Sequence, residues 1–196
     1  MRRHILAFAS ATVGLTLAFA SSHAQAYEPD FFSQQVFRAG EGQDGRPQAV
    51  APPREIVRYE GQYRPGTIIV STEERRLYFI LPDHQAVKYG VGVGRPGFDW
   101  SGTKTVAMKR EWPSWTPPAQ MLRRRPDLPR FMRGGPENPL GARAMYLGGT
   151  LYRIHGSNEP ETIGQAVSSG CIRMTNDDVV DLYERVKVGT RVVVRR

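Results

Sequence analysis

The chain contains only one cysteine, Cys171, and only four histidines. A single thiol has no partner within the chain, so Cys171 does not serve an internal disulfide. His4 and His23 lie close to the N-terminus, which leaves His84 and His155 as histidines of the main part of the chain. One thiol and two imidazoles are too few soft ligands for a zinc site. The sequence therefore predicts neither a metal site nor a cofactor.

Long apolar stretches are also scarce. The apolar stretch of residues 5–20 follows Arg2 and Arg3 and precedes Ala24-Gln25-Ala26, the three-part order of a secretory signal. It is short for a membrane span, which needs roughly 20 apolar residues. We expect residues 1–26 to be a signal peptide that is removed, which places the protein in the periplasm. An uncleaved anchor stays open as the alternative.

Basic residues outnumber acidic ones. The formal net charge is +8, and it becomes +6 once Arg2 and Arg3 leave with the signal. An exported basic protein favours anionic polymers such as cell wall or lipid headgroups. Export and the lack of a recognisable nucleic-acid motif both argue against a nucleic-acid partner. Excess charge that serves only solubility is the alternative.

Composition divides the exported part in two. Residues 27–64 are rich in glycine, proline and glutamine and carry little apolar periodicity, so we predict a flexible tether. Residues 65–196 form the predicted domain, which is mostly β with few short helices. A helix is expected after Thr175, because Thr175 and Asp178 have capping-box spacing and apolar residues follow at helical intervals. The predicted strands cover residues 67–71, 76–81, 86–93, 103–112, 151–155 and 190–194.

A proline-rich stretch interrupts this pattern. Residues 113–139 hold seven of the fifteen prolines, with Trp112 and Trp115 at the entry and the basic run 123–125 near the middle. So many prolines exclude a long helix or a central strand. We predict a long insertion that forms a lid over the functional site. A surface decoration packed away from the site is the alternative.

Cys171 and His155 are the candidate reactive pair. A thiol attacks an acyl carbon as thiolate, and an imidazole that takes its proton supplies that state. Gly156 follows His155, and its carbonyl is free to orient the ring. Gly170 precedes Cys171, so the N–H groups of Gly170 and Cys171 can approach an oxyanion. A lone cysteine is otherwise more often a small buried hydrophobic residue.

The segments Ile154-His155-Gly156-Ser157-Asn158 and Ser168-Ser169-Gly170-Cys171-Ile172-Arg173-Met174 resemble the catalytic signature of the L,D-transpeptidases of the YkuD type. The resemblance extends over roughly residues 65–194. It implies an L,D-transpeptidase-like β-sandwich with the catalytic cysteine on a loop beside the histidine. Many members have His where this chain has Ser169, which leaves the role of that position open.

The resemblance also implies the activity. Cys171 would form a thioester with a peptidoglycan stem peptide, and a second stem peptide would resolve it into a cross-link, an activity of cell-wall biogenesis and cell shape. Water as acceptor would instead make the protein an L,D-carboxypeptidase, and a protein amine would make it an enzyme that attaches outer-membrane proteins to peptidoglycan. A non-catalytic wall-binding module is the remaining alternative. A monomer is expected, with substrate contacts at Arg173, Ser169, Ser168 and Tyr146. For Arg173 a structural ion pair is the alternative.

Overall fold

The computed structural model describes residues 51–196, so the predicted signal peptide and most of the predicted tether lie outside it. Within this range the fold is mostly β, as predicted, with eleven strands and two short helices. No helix of residues 51–196 is both long and apolar enough to cross a membrane.

Six strands and the second helix lie where the sequence predicts. The strands at residues 55–58, 143–147, 166–168 and 172–173 and the helix at 119–124 are additional, and the predicted strand 86–93 divides into two. The first six strands are β1 (Glu55–Arg58), β2 (Ile68–Ser71), β3 (Arg76–Ile80), β4 (Gln85–Gly90), β5 (Val93–Gly94) and β6 (Gly102–Glu111). Helix α1 (Ala119–Arg124) separates these from β7 (Arg143–Leu147) and β8 (Arg153–His155). The chain ends with a 3-10 turn (Pro160–Thr162), β9 (Ala166–Ser168), β10 (Ile172–Arg173), α2 (Asn176–Arg185) and β11 (Arg191–Arg195).

Nine strands form one continuous sheet in the order β1-β4-β3-β2-β11-β6-β7-β8-β10, and β5 pairs with β9 in a small second sheet. The large sheet curls, so that one apolar core joins its two ends: Leu77 and Tyr89 from β3 and β4 share a cluster with Ile154 and Ile172 from β8 and β10. The predicted two-layered β fold therefore arises from a sheet that closes over its own apolar face.

Helix α2 begins where the sequence predicts. The side chain of the N-cap residue Thr175 accepts a hydrogen bond of 3.2 Å from the Asp178 N–H, as a capping residue does. Val179 and Leu182 point into the core and are fully buried. Because α2 starts shortly after Cys171, its packing holds the chain on the C-terminal side of the thiol.

The tether prediction is wrong for residues 51–64. Strand β1 lies within them and pairs with β4 in antiparallel register, Ile56 opposite Val87. The Tyr59 ring lies 5.4 Å from the Tyr78 ring, over a second apolar cluster on the outer face of the sheet. Edge strands without a partner are unfavourable, and β1 covers the edge of β4. The short strand carries too weak an apolar alternation to be found in the sequence.

Backbone hydrogen bonds join the two arms of the proline-rich insertion at its base. Trp115 and Met132 exchange two backbone hydrogen bonds of 2.8 Å, which joins its two arms. The Asn138 side chain donates to the Arg133 carbonyl across 2.9 Å, and its own oxygen accepts the Leu140 N–H at the same distance. The insertion is therefore tied together by hydrogen bonds at its base, with the six-residue helix α1 between the arms.

Candidate active site

The parallel pairing of strands β8 and β10 brings the residues of the site together. In the β8–β10 pair, Ile172 lies opposite Ile154 and Arg173 opposite His155. Ile154 and Ile172 are 0% and 1% exposed and belong to the core. Because side chains alternate along a strand, Arg153, His155 and Arg173 face the other way. Cys171, one residue before β10, shares that direction.

These four side chains line a cavity of about 400 Å³. Ser168 and Ser169 also line it, so five of the predicted site residues meet there, although they come from separate parts of the sequence. Its lining contains arginines and no aspartate or glutamate. The remaining lining residues come mainly from the insertion and the loops beside β8: Phe98, Trp115, Pro118, Gln120, Met121, Arg124, Pro139, Leu140, Gly149, Thr150, Leu151 and Tyr152.

His155 is buried and is oriented by its neighbour. Its Nδ1 lies 2.5 Å from the Gly156 carbonyl oxygen, which assigns the proton to Nδ1 and leaves Nε2 able to accept one. A side chain at Gly156 would collide with Asn176 Oδ1 of α2, so glycine is required where the chain leaves β8. Burial, with the positive charge of Arg173, lowers the pKa of His155 to about 3.

The thiol is also held in its neutral form. Burial raises the pKa of Cys171, against hydrogen bonds from the backbone and side chain of Arg153 and the charges of Arg153 and Arg173. A neutral thiol beside a neutral imidazole differs from a preformed thiolate–imidazolium pair. Such a pair can supply a nucleophile if the thiol proton passes to the imidazole during attack.

The turn that carries Cys171 has a left-handed glycine. Gly170 has φ of 106°, and a side chain there would collide with the Tyr152 ring. Ser168 Oγ accepts the Gly170 N–H at 3.1 Å and donates to the Cys171 carbonyl at 2.7 Å. Ser168 therefore shapes the turn, besides lining the cavity. The Gly170 N–H, predicted as an oxyanion donor, is engaged by this serine, which leaves the Cys171 N–H as the candidate donor.

The predicted substrate contacts differ in their surroundings. Arg173 donates to the Glu159 carboxylate at 2.9 Å and therefore forms an ion pair at the cavity wall. Ser169 Oγ accepts a 3.2 Å hydrogen bond from Arg95 Nη1. Tyr146 is not among the residues that line the cavity, because its ring lies beneath Arg153, 5.0 Å from the guanidinium carbon.

Only part of the basic run in the insertion reaches the site. Arg124 lines the cavity and lies 5.2 Å from the centre of the Phe98 ring, on which Arg95 also packs at 4.2 Å. Arg125 instead forms an exposed ion pair with Asp127 at 2.7 Å. The insertion therefore borders the cavity through one arginine and several apolar side chains.

Sequence reasoning missed Arg153 and the loop before β6. Arg153 could have been found, because it lies two residues before His155 and strand alternation puts both on one face. Phe98 and Trp100 carry no comparable signal, since their place beside Cys171 depends on how the β5–β6 loop folds back. Among residues 51–196 no cluster of three or more histidine, cysteine, aspartate or glutamate side chains could hold a metal ion.

Comparison with known proteins gives consistent matches. The model of the YkuD family, described as an L,D-transpeptidase catalytic domain, matches residues 65–194. The probable L,D-transpeptidase ErfK/SrfK of Escherichia coli K12 is 42% identical over 134 residues, which cover 65% of this chain and 43% of that protein. The chain thus matches less than half the length of this relative.

Two solved structures resemble the fold. L,D-transpeptidase 3 from Mycobacterium tuberculosis, in complex with a faropenem-derived adduct, has a TM-score of 0.55 and 17% identity, over 66% of this chain and 60% of that one. A Brucella melitensis protein titled a probable carnitine operon oxidoreductase is 45% identical with a TM-score of 0.50, over 74% of this chain and 94% of that one. The first likeness concerns the fold alone.

Proposed function

The chain belongs to the family of L,D-transpeptidase catalytic domains, and we propose that it forms peptidoglycan cross-links through a thioester on Cys171. The substrate is a stem peptide that ends in a diamino acid linked to D-alanine. The protein acts in the periplasm after export through residues 1–26.

Acylation begins with a proton transfer. Cys171 gives its proton to Nε2 of His155 as the sulfur forms a bond to the donor carbonyl carbon, and the carbonyl electron pair moves onto oxygen. The Cys171 N–H stabilises this oxyanion. When the intermediate collapses, the C–N bond breaks, the amine of D-alanine takes the proton from His155, and a thioester remains.

An acceptor amine then resolves the thioester. His155 removes a proton as the amine attacks, and the thiolate leaves and is protonated again. Energy stored in the original peptide bond is conserved in the thioester, so the cross-link forms without ATP. The Nδ1 contact with Gly156 keeps Nε2 available for both proton transfers.

One observation supports a catalytic function above a non-catalytic wall-binding module: Cys171 and His155 line one cavity whose charged lining residues are basic. Stem peptides carry several carboxylates, which a cavity without acidic lining residues accommodates. A wall-binding module that had lost catalysis would not need a buried thiol and imidazole on one face. Arg124 of the insertion extends the basic lining, and we infer that residues 113–139 act as a lid.

Mass spectrometry of muropeptides tests the proposal. Purified disaccharide-tetrapeptides are incubated with the protein and with Cys171→Ala, and the products are separated by mass. A dimer with loss of one D-alanine from the donor, absent with Cys171→Ala, is expected. Tripeptide monomers alone would identify a carboxypeptidase, and unchanged substrate would contradict catalysis. Adding a lysine-bearing outer-membrane protein tests the protein amine as acceptor.

A further inference from the structure

Arg153 lies next to Cys171 in the register of strands β8 and β10. It precedes Ile154, which pairs with Ile172, so continuing the parallel register by one residue sets Arg153 opposite Cys171. Both side chains line the cavity. No family signature points to this arginine. It comes to the site solely because it shares the outward face of β8 with His155.

The guanidinium of Arg153 contacts neighbouring groups but has no anionic partner among residues 51–196. Its Nη1 donates to the Leu151 carbonyl at 3.1 Å, and its carbon lies 5.0 Å from the centre of the Tyr146 ring. Its Nε is buried and has no hydrogen-bond partner among residues 51–196. Within the same range it forms no ion pair, whereas Arg173 has Glu159. The side chain as a whole is only partly buried, but a buried N–H donor without a partner is costly unless an acceptor appears beside it.

Among the residues that line the cavity, Cys171 has the side chain that ordinarily loses a proton to become an anion most readily. Burial raises the pKa of Cys171, and Arg153 opposes this rise through its N–H donors and its positive charge. The other ionisable residues that line the cavity are Tyr152, His155, Arg173 and Arg124, and none of them carries a carboxylate. Since Glu159 neutralises Arg173 and Arg124 belongs to the more exposed insertion, Arg153 supplies the uncompensated positive charge at the sulfur.

We propose that Arg153 is a catalytic residue that stabilises the Cys171 sulfur while it carries negative charge. This rests on the proposed role of Cys171 as nucleophile. As the S–H bond breaks and the proton passes to His155, the guanidinium and the Arg153 N–H hold the sulfur electron pair that goes on to form the C–S bond. They hold it again when the thioester breaks and the thiolate leaves.

Alkylation of the thiol tests this without any peptidoglycan substrate. The rate of iodoacetamide modification of the intact protein is measured against pH by mass spectrometry for wild type, Arg153→Met and Arg153→Lys. Arg153→Met should move the midpoint of the alkylation profile up by about one pH unit, the usual effect of removing one adjacent charge, and slow alkylation about tenfold at pH 7. Arg153→Lys should retain most of the wild-type rate.

Arg123→Met is the matched control, because Arg123 lies on the insertion but does not line the cavity. The alkylation profile of Arg123→Met should equal that of wild type.

If Arg153→Met fails to fold, as judged by circular dichroism, Arg153→Gln decides the question, because it removes the charge while keeping N–H donors. A wild-type profile in folded Arg153→Met or Arg153→Gln overturns the proposal. So does an unchanged profile with a raised KM for muropeptide donors, which would make Arg153 a carboxylate-binding residue. Because alkylation needs no transpeptidation, a failure here is separate from a failure of the proposed function.

Discussion

Trp100 donates its indole N–H to the Gly170 carbonyl oxygen across 2.7 Å. The same indole stacks on Tyr152, with ring centres 4.6 Å apart and planes inclined by 7°. Tyr152 in turn closes against Gly170, where it leaves no room for a side chain. The cysteine-bearing turn is thus clamped between the β5–β6 loop and the entry to β8, which holds the thiol at the cavity wall.

Gly170→Ala should disrupt this clamp. Alanine is strained at φ of 106° and collides with Tyr152, so we expect a loss of roughly 2 kcal/mol or more in the free energy of unfolding together with loss of Cys171 acylation by a tetrapeptide donor. Gly66→Ala is the control, because Gly66 also has positive φ (85°) but open space around it. It should cost about 1 kcal/mol and leave acylation intact. Denaturant unfolding and intact-protein mass spectrometry measure both effects, and equal losses would refute the steric argument.

The buried His155 should make stability depend on pH in the acid range. Its pKa falls to about 3 in the folded protein, from an ordinary value of 6.5. Between these values the unfolded chain binds a proton that the folded one does not, so stability declines as pH falls from 6.5 towards 3. The decline is at most about 1.4 kcal/mol per pH unit.

His155→Asn should remove this part of the slope, while other titrating groups contribute equally to both proteins. Urea unfolding at pH 7, 5.5 and 4 measures how the free energy of unfolding of wild type and of His155→Asn depends on pH. If the two free energies change in parallel over this range, the result contradicts a buried, neutral imidazole.

Tyr59→Ala should destabilise the domain, because residues 51–64 pack on it. Loss of the ring contacts with Tyr78 and Tyr63 at a half-buried position predicts roughly 1–3 kcal/mol of lost unfolding free energy. Ile56→Ala on the same segment is the control. Ile56 is 67% exposed, so its truncation should change stability by less than about 0.5 kcal/mol. Thermal or urea unfolding of both variants decides whether the segment belongs to the folded unit.

Arg124→Ala should weaken donor binding. Arg124 borders the cavity, and loss of one largely exposed charge contact predicts a KM for a tetrapeptide donor raised about two- to fivefold, with little change in kcat. Arg123→Ala should leave KM unchanged, because Arg123 does not line the cavity. Steady-state kinetics by mass spectrometry compare the two. An equal response of both arginines would mean that the insertion acts only through its net charge.

Local sequence pattern predicted most of the strands and helix α2. The capping residues of α2 act within one turn, and the apolar runs of β2 and β3 are readable from their own composition. Strand β1 escaped prediction because its stability comes from pairing with β4, and β4 is 30 residues away in the sequence. The hydrogen bond between Ser168 and Gly170 was missed for a different reason, since it depends on the shape of one turn.

The sequence by itself determined the candidate reactive groups, because the chain has one thiol and places a histidine sixteen residues before it, each beside a glycine. What the tertiary structure decided is their environment. Parallel pairing of β8 with β10 sets Arg153 beside Cys171, and the core beneath keeps His155 and Cys171 neutral. The charge state of a buried group depends on desolvation and on neighbours distant in sequence. Desolvation and the charges of distant residues act on these groups only after the sheet has folded around its core.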